Sequence, residues 1–251
     1  MTNQQHAEAV PGTWNFRDIG GIPAAGGVVR PGVLYRSAAL AQLHAAGVQA
    51  LEDLGVADVF DLRGRREIAR EGADRVPPGV RITVAPFHPE HDETPAHEAE
   101  QDDGQPWVGA DRLRDYYAAI PTLAPAQESV AGLLRTVAGG SAGVLVHCAA
   151  GKDRTGWAVS TMLLAVGADR DAVLQDYLLS NTAIESLRVW MVAQYGDGPR
   201  QADKDILGVH ESYLRAAWDA ADAAFGSFDG YLAAIGVDEP LRTRLRARLI
   251  G

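Results

Sequence analysis

Short apolar runs and helical periodicities alternate along most of the chain. Val56 to Leu62, Val80 to Phe87 and Val144 to Val146 are brief, β-branched-rich runs that predict strands. Between them, Leu40, Leu43, Val48, Leu51 and Leu54 recur at helical spacing and predict a helix from Ala39 to Leu54, ended by Gly55. The charged run Arg63 to Arg70 predicts a short exposed helix, and helical patterns return over Leu113 to Ile120 and Ala124 to Val137. After the third strand come helices at Thr155 to Val166 and Asp169 to Asn181. A helical tail from Ile184 is broken near Gly196, Gly226 and Gly236. Near the N-terminus, glycine pairs bounding short apolar runs predict a small hairpin whose second strand is Val33 to Arg36. Strands alternating with helices, followed by helices alone, predict an α/β domain with a central, mostly parallel sheet flanked by helices and extended by C-terminal helices. No internal repeat divides residues 1–251, so a single domain is expected.

One stretch breaks this rhythm. Residues 88–110 carry His88, His91, His97 and many carboxylates among prolines, with almost nothing apolar before Trp107, which predicts a mobile surface insertion. The histidine spacing is irregular and no helix or strand would converge them, so a metal site is not expected there.

Charge and cysteine usage then narrow the chemistry. A formal net charge of −10 argues against a nucleic-acid binder held by a basic surface, so an anionic substrate must be drawn in by the site itself. With one cysteine, neither an internal disulfide nor a Cys-rich metal centre is possible. The first ten residues have no basic and apolar leader pattern, and no run approaches the roughly 18 apolar residues of a membrane span. A cytoplasmic protein without a transmembrane segment is the expectation, with secretion by a signal-free route left open.

The single thiol lies in the most informative segment, His147-Cys148-Ala149-Ala150-Gly151-Lys152-Asp153-Arg154-Thr155-Gly156. Strand, small-residue turn and helix start in succession place backbone N–H groups and the positive helix end around one phosphate-sized anion. Cys148, beneath those amides and beside Arg154, is favoured as a thiolate nucleophile. The Arg154 fork fits two phosphoryl oxygens, and Gly151 lets the backbone approach the anion. Ala149, Ala150, Gly151 and Lys152 would line the cradle, with His147 fixing the backbone through its ring nitrogens. Thr155 is placed to donate its hydroxyl to the Cys148 sulfur when the thiolate leaves. A general acid is also needed for the leaving oxygen. Asp153 inside the loop, Asp61 at a strand end and Asp111 are all candidates, and spacing does not rank them. The segment is not a nucleotide-binding Walker loop, because Lys152 is followed by Asp153 rather than Ser or Thr.

This segment resembles the His-Cys-x5-Arg-Ser/Thr signature of the cysteine-dependent protein tyrosine phosphatase superfamily. More narrowly it is similar to bacterial tyrosine phosphatases of dual or triple specificity, some of which also act on phosphoinositides. The resemblance extends to Asn15 to Gly21, Leu34 to Ser37, Asp61 to Arg63, Asp176 to Asn181 and Gly226 to Leu232. It implies a cysteinyl-phosphate mechanism with no metal or cofactor. The partners it implies are a phosphorylated protein or phosphoinositide substrate, with inorganic phosphate as an occupant of the loop. It also implies that the loop aspartate, Asp153, is the acid, with Asp61 as the alternative, and that Lys152 contacts a second phosphate or the substrate ring. No Trp-Pro-Asp acid loop is evident; Pro106-Trp107 stand in the wrong order. Arg17, Asp18 and Arg36 are expected to brace the loop, and Arg63 either to brace it or to touch substrate. Relatives carry a helical pair over the site, and Leu187, Trp190, Met191 and Tyr195 are the residues expected to line such a lid. Two other uses of a Cys-x5-Arg cradle compete: a sulfurtransferase or arsenate reductase, and a catalytically silent phospho-binding module.

Overall fold

The computed structural model describes residues 10–88, 110–195 and 207–251. Nearly all of the 88–110 insertion therefore lies outside the described residues. The main sheet has five strands in the order β1 (Arg17–Asp18), β4 (Leu34–Ser37), β7 (Gly143–His147), β5 (Val56–Asp61), β6 (Arg81–Val84). Only the β1–β4 pair is antiparallel; β4–β7, β7–β5 and β5–β6 run parallel. A separate two-stranded hairpin joins β2 (Pro23–Ala24) to β3 (Gly27–Val28). The hairpin expected to end in Val33 to Arg36 is thus two features. Leu34–Ser37 left it for the main sheet because every one of its residues is buried, which a solvent-facing hairpin does not provide.

β7 occupies the centre of the sheet and all five of its residues are buried, as an uninterrupted Val144-Leu145-Val146 run with parallel neighbours requires. Its register sets the site. His147 is level with Ser37 of β4 and with Asp61 of β5, so all three strands end on one line. Open α/β sheets place ligands beyond that carboxyl edge.

Helices α1 (Ala45–Asp53) and α2 (Arg65–Glu71) follow β4 and β5; α3 (Ala110–Ala119) and α4 (Ala124–Gly139) precede β7. The first of these is shorter than the apolar spacing suggested, since Leu40 and Leu43 are buried in the turns before it. Beyond β7 come α5 (Asp153–Ala165), α6 (Arg170–Leu178), α7 (Ile184–Tyr195), α8 (Glu211–Phe225), α9 (Phe228–Ala234) and α10 (Glu239–Leu249). Helix α5 is buried along nearly its whole length, between the sheet and the C-terminal helices. Trp157 and Met162 of α5 share one core with Leu133 of α4, Trp218 of α8, Tyr231 of α9 and Leu245 of α10. The opposite face of the sheet is covered by α1 through Leu51, with Phe16, Tyr35 and Leu145. No helix among the described residues is long and apolar enough to cross a membrane.

Candidate active site

The loop between β7 and α5 starts at Cys148 and reaches the helix at Asp153, two residues earlier than periodicity predicted. That shift puts Asp153 and Arg154 in the first helical turn. The loop is sewn to the neighbouring strand ends: Leu62 N–H donates to the His147 carbonyl at 2.8 Å, and Ala39 N–H to the Ala149 carbonyl at 3.0 Å. Gly151 has φ +67°, and a Cβ built there would lie 2.1 Å from the Ser37 carbonyl oxygen, so this position excludes a side chain on two counts.

Arg154 is held by a residue the sequence did not single out. Its Nη1 and Nη2 donate to the two oxygens of Glu67 at 2.6 and 2.7 Å, a planar fork-to-fork pair, and Nη1 also reaches the Leu62 carbonyl at 3.2 Å. Glu67 Oε2 accepts the Gly64 N–H at 2.8 Å as well, three residues upstream. The helix expected to be exposed over Arg63 to Arg70 therefore turns Glu67 inward. Its position, third in a helix after a small residue, is the capping-box pattern that was its only sequence signal.

Beneath the loop, His147 is fully buried. Its Nε2 lies 2.8 Å from Asp74 Oδ2 and its Nδ1 3.2 Å from the Cys148 carbonyl oxygen. Burial alone would lower its pKa, but Asp74 and then Asp61 outweigh it and push the imidazole up to about 9. His147 thus fixes the backbone as expected but does not line the anion cradle. A folded-state pKa above the ordinary 6.5 or so means a stabilisation present in full below that pH and lost as pH rises toward about 9. Urea midpoints measured at pH 6 and pH 9.5 should therefore fall more for wild type than for Asp74→Asn. Equal falls would refute the pairing.

Asp61 and Arg63 resolve together. Arg63 bonds Asp61 through Nε and Nη2 at 2.9–3.2 Å and Asp74 at 2.9 Å, and reaches Glu71 at 3.3 Å. Arg63 is fully buried in this network, and both Asp61 carboxylate oxygens accept from it. Asp61, Asp74 and His147 lie close enough to share a metal ion, but Arg63 already supplies the positive charge between the carboxylates. Asp111 is exposed in the first turn of α3.

The remaining braces act from the other side. Asp176 of α6 pairs with Arg17 Nε at 2.7 Å and with Arg36 Nη1 at 2.7 Å. Arg36 Nη2 donates to the Gly151 carbonyl at 2.8 Å. Arg17 holds the Asn15 side chain, whose amide donates to the Ala150 and Gly151 carbonyls. Asn15 itself adopts φ +55° to do so. Asp18 does not brace the loop: its carboxylate accepts the Gly20 and Gly32 N–H groups at 2.7 Å and shapes the turns before β4.

Lys152 does not face solvent. It is buried, and its Nζ donates to the Leu207 and Gly208 carbonyls at 3.0 Å each and lies 3.8 Å from Asp153 Oδ2. Burial pulls its ammonium below the ordinary value, with Asp153 and Cys148 opposing. Leu187, Trp190 and Met191 of α7 pack with Leu207 on Ala150 of the loop, and Trp190 tilts against Trp14 at 5.7 Å. Helix α7 therefore lies on the loop, and Cys148 is only 2% exposed. The Tyr195 side chain falls outside the described residues. The Thr155 hydroxyl is fully buried and has no hydrogen-bond partner among the described residues.

Asp153 is bound from α3. The Tyr117 hydroxyl donates to Asp153 Oδ1 at 2.7 Å, and the Tyr177 hydroxyl of α6 donates to that of Tyr117 at 2.7 Å. Tyr116 lies against the same site, its hydroxyl 3.2 Å from His88 Nε2. Nothing in the sequence pattern distinguished this tyrosine pair from core aromatics. The ensemble is a buried thiol, a rigid guanidinium fork and a carboxyl group at one helix start, which suffices to bind a phosphoryl group, attack it and protonate what leaves.

Comparison with known proteins agrees with this chemistry. The chain is 36% identical to the triple specificity protein phosphatase PtpB of Mycobacterium tuberculosis, over 96% of this chain and 98% of that protein. It is 35% identical to a protein of Cupriavidus necator that bears a provisional tyrosine-protein phosphatase name, over 87% of this chain and 80% of that one. A family model described as tyrosine phosphatase family matches residues 8–251. The chain belongs to the tyrosine phosphatase family.

Proposed function

We propose that the enzyme hydrolyses phosphotyrosine monoesters in two steps through a phosphorylated Cys148. In the first, the Cys148 sulfur attacks phosphorus, the phosphorus–oxygen bond to the tyrosine breaks, and Asp153 gives its proton to the departing phenolate. In the second, Asp153 takes a proton from water as that water attacks phosphorus and the sulfur–phosphorus bond breaks, releasing inorganic phosphate. The observation that carries this reading is the Arg154–Glu67 fork, because it fixes the guanidinium beside the thiol before any substrate arrives. A binding surface for neutral ligands would have no use for such a clamp. Thr155, whose buried hydroxyl lacks a partner among the described residues, supports the second step by donating to the sulfur as it leaves as a thiolate. Substrate reaches Cys148 when α7 moves off Ala150.

The same cradle accepts phosphoserine, phosphothreonine and phosphoinositide esters, a breadth supported by the name of the mycobacterial relative. For a doubly phosphorylated substrate, the second phosphate would compete with the Leu207 and Gly208 carbonyls for Lys152.

Release of phosphate from a phosphotyrosine peptide, with chelator present throughout, tests the activity. Asp153→Asn tests the acid. With phenyl phosphate, a poor leaving group, the variant should lose about 100-fold in kcat/KM, which reports only the steps through departure of the phenol; with 2,4-dinitrophenyl phosphate it should lose little in kcat/KM. Equal losses on both would reject Asp153 as the proton donor.

A further inference from the structure

We propose that Tyr117, anchored by Tyr177, is a positioning residue that dictates which oxygen of Asp153 carries the catalytic proton. The proposal rests on Asp153 being the acid and adds the device that aims it. A phenol has one proton to donate and lone pairs to accept. Tyr177 donates to Tyr117 at 2.7 Å, and Tyr117 donates its own proton to Asp153 Oδ1 at 2.7 Å. A protonated Oδ1 accepts a hydrogen bond more weakly than a carboxylate oxygen does, so the bond from Tyr117 is strongest when the acid proton sits on the other oxygen. The tyrosine relay therefore places the acid proton on Oδ2, the oxygen on the side of Lys152.

The relay is built to stay in one arrangement. Tyr117 and Tyr177 are both fully buried. Tyr117 is wedged edge-on against Tyr116 and Tyr177 and tilted against Tyr213, with ring centroids 5.7–6.2 Å apart. Burial first, and the Asp153 carboxylate second, hold both phenols far above their ordinary pKa, so each remains a neutral donor across the working pH range. Among the described residues, the other charged or titratable groups around Asp153 are Lys152, Cys148 and Arg154 of the loop, Glu67 of α2, Tyr116 of α3, Arg36 of β4 next to Tyr177, and Tyr213 of α8 with His210 tilted against it.

The test is the pH dependence of kcat/KM for wild type, Tyr117→Phe and Tyr177→Phe, each on phenyl phosphate and on 2,4-dinitrophenyl phosphate. Losing a donor to a carboxylate makes its ionisation harder. The basic limb of Tyr117→Phe should therefore move upward by about one pH unit. Its kcat/KM should fall about 10-fold on phenyl phosphate and less than about 3-fold on the activated ester. Tyr177→Phe, which touches Asp153 only through Tyr117, should shift the limb in the same direction by less. It also serves as the deciding variant if Tyr117→Phe does not fold. An unmoved basic limb, or a uniform loss on both esters, would overturn the relay even if Asp153→Asn behaves as an acid variant should. A flat leaving-group response of Asp153→Asn itself would instead remove the acid assignment, and the relay with it.

Discussion

Cys148→Ser should lower hydrolysis of a phosphotyrosine peptide by about four orders of magnitude or more while leaving phosphate binding in place. The physical reason is nucleophilicity: a sulfur at this point attacks phosphorus readily, whereas a serine hydroxyl with no base beside it is a weak nucleophile. The anion cradle itself does not depend on sulfur. Arg154 remains forked to Glu67, and the loop amides remain fixed by Arg36 and Asn15. Inorganic phosphate should therefore still raise the thermal midpoint of the variant, as any ligand of the folded state does. Rapid mixing of wild type with an aryl phosphate should show a burst of product equal to one per enzyme, and the variant none. Turnover that survives the substitution would exclude the covalent mechanism. Wild type that binds phosphate but never turns over would favour the silent binding module instead.

The parts of this site that were readable in the sequence are those made by neighbours in the chain. Cys148, Asp153 and Arg154 lie within seven residues, and strand, loop and helix there follow from local pattern and composition. The parallel sheet was legible for the same reason, since Val56 to Leu62 and Val144 to Val146 are short apolar runs between helical stretches. The residues that hold the loop were not legible. Glu67, Asp74 and Tyr117 reach it from 87, 73 and 36 positions away along the chain, and each sits in a segment whose local pattern is ordinary. Arg36 was expected to brace the loop by resemblance, but its route through Asp176 and the Gly151 carbonyl follows only from the strand register. Lys152, expected by resemblance to contact a second phosphate or the substrate ring, donates to the Leu207 and Gly208 carbonyls, which only the fold brings to it.

Asp176→Ala should be the most destabilising single change in the brace, by about 3–5 kcal/mol, which is a large part of an ordinary domain's net stability. One carboxylate neutralises two guanidiniums that are almost entirely out of water, Arg17 at 7% and Arg36 at 0% exposure. Burial, and then the like charge of Arg17, already pull Arg36 below its ordinary pKa, so removing Asp176 leaves two buried cations facing each other. By contrast Arg81 pairs with Asp58 at 2.6 Å with its own side chain 72% exposed, and Arg81→Ala should cost about 1 kcal/mol or less. The sign with pH follows from Asp176 itself. Burial alone would raise its pKa, but Arg17 and Arg36 outweigh that and lower it. Its stabilisation is therefore present in full above the ordinary carboxylate pKa of about 3.9 and disappears as pH falls through the lower, folded value. Urea midpoints of wild type and Asp176→Ala should differ widely at pH 7 and converge toward pH 3. Asp176→Asn should lie between them, keeping an acceptor but no charge. Activity should fall with stability, because Arg36 and Arg17 hold the Ala150 and Gly151 carbonyls only while Asp176 holds the arginines. A midpoint at pH 7 no lower than that of Arg81→Ala would show that the two arginines are solvated by some other route, and that the loop does not depend on this carboxylate.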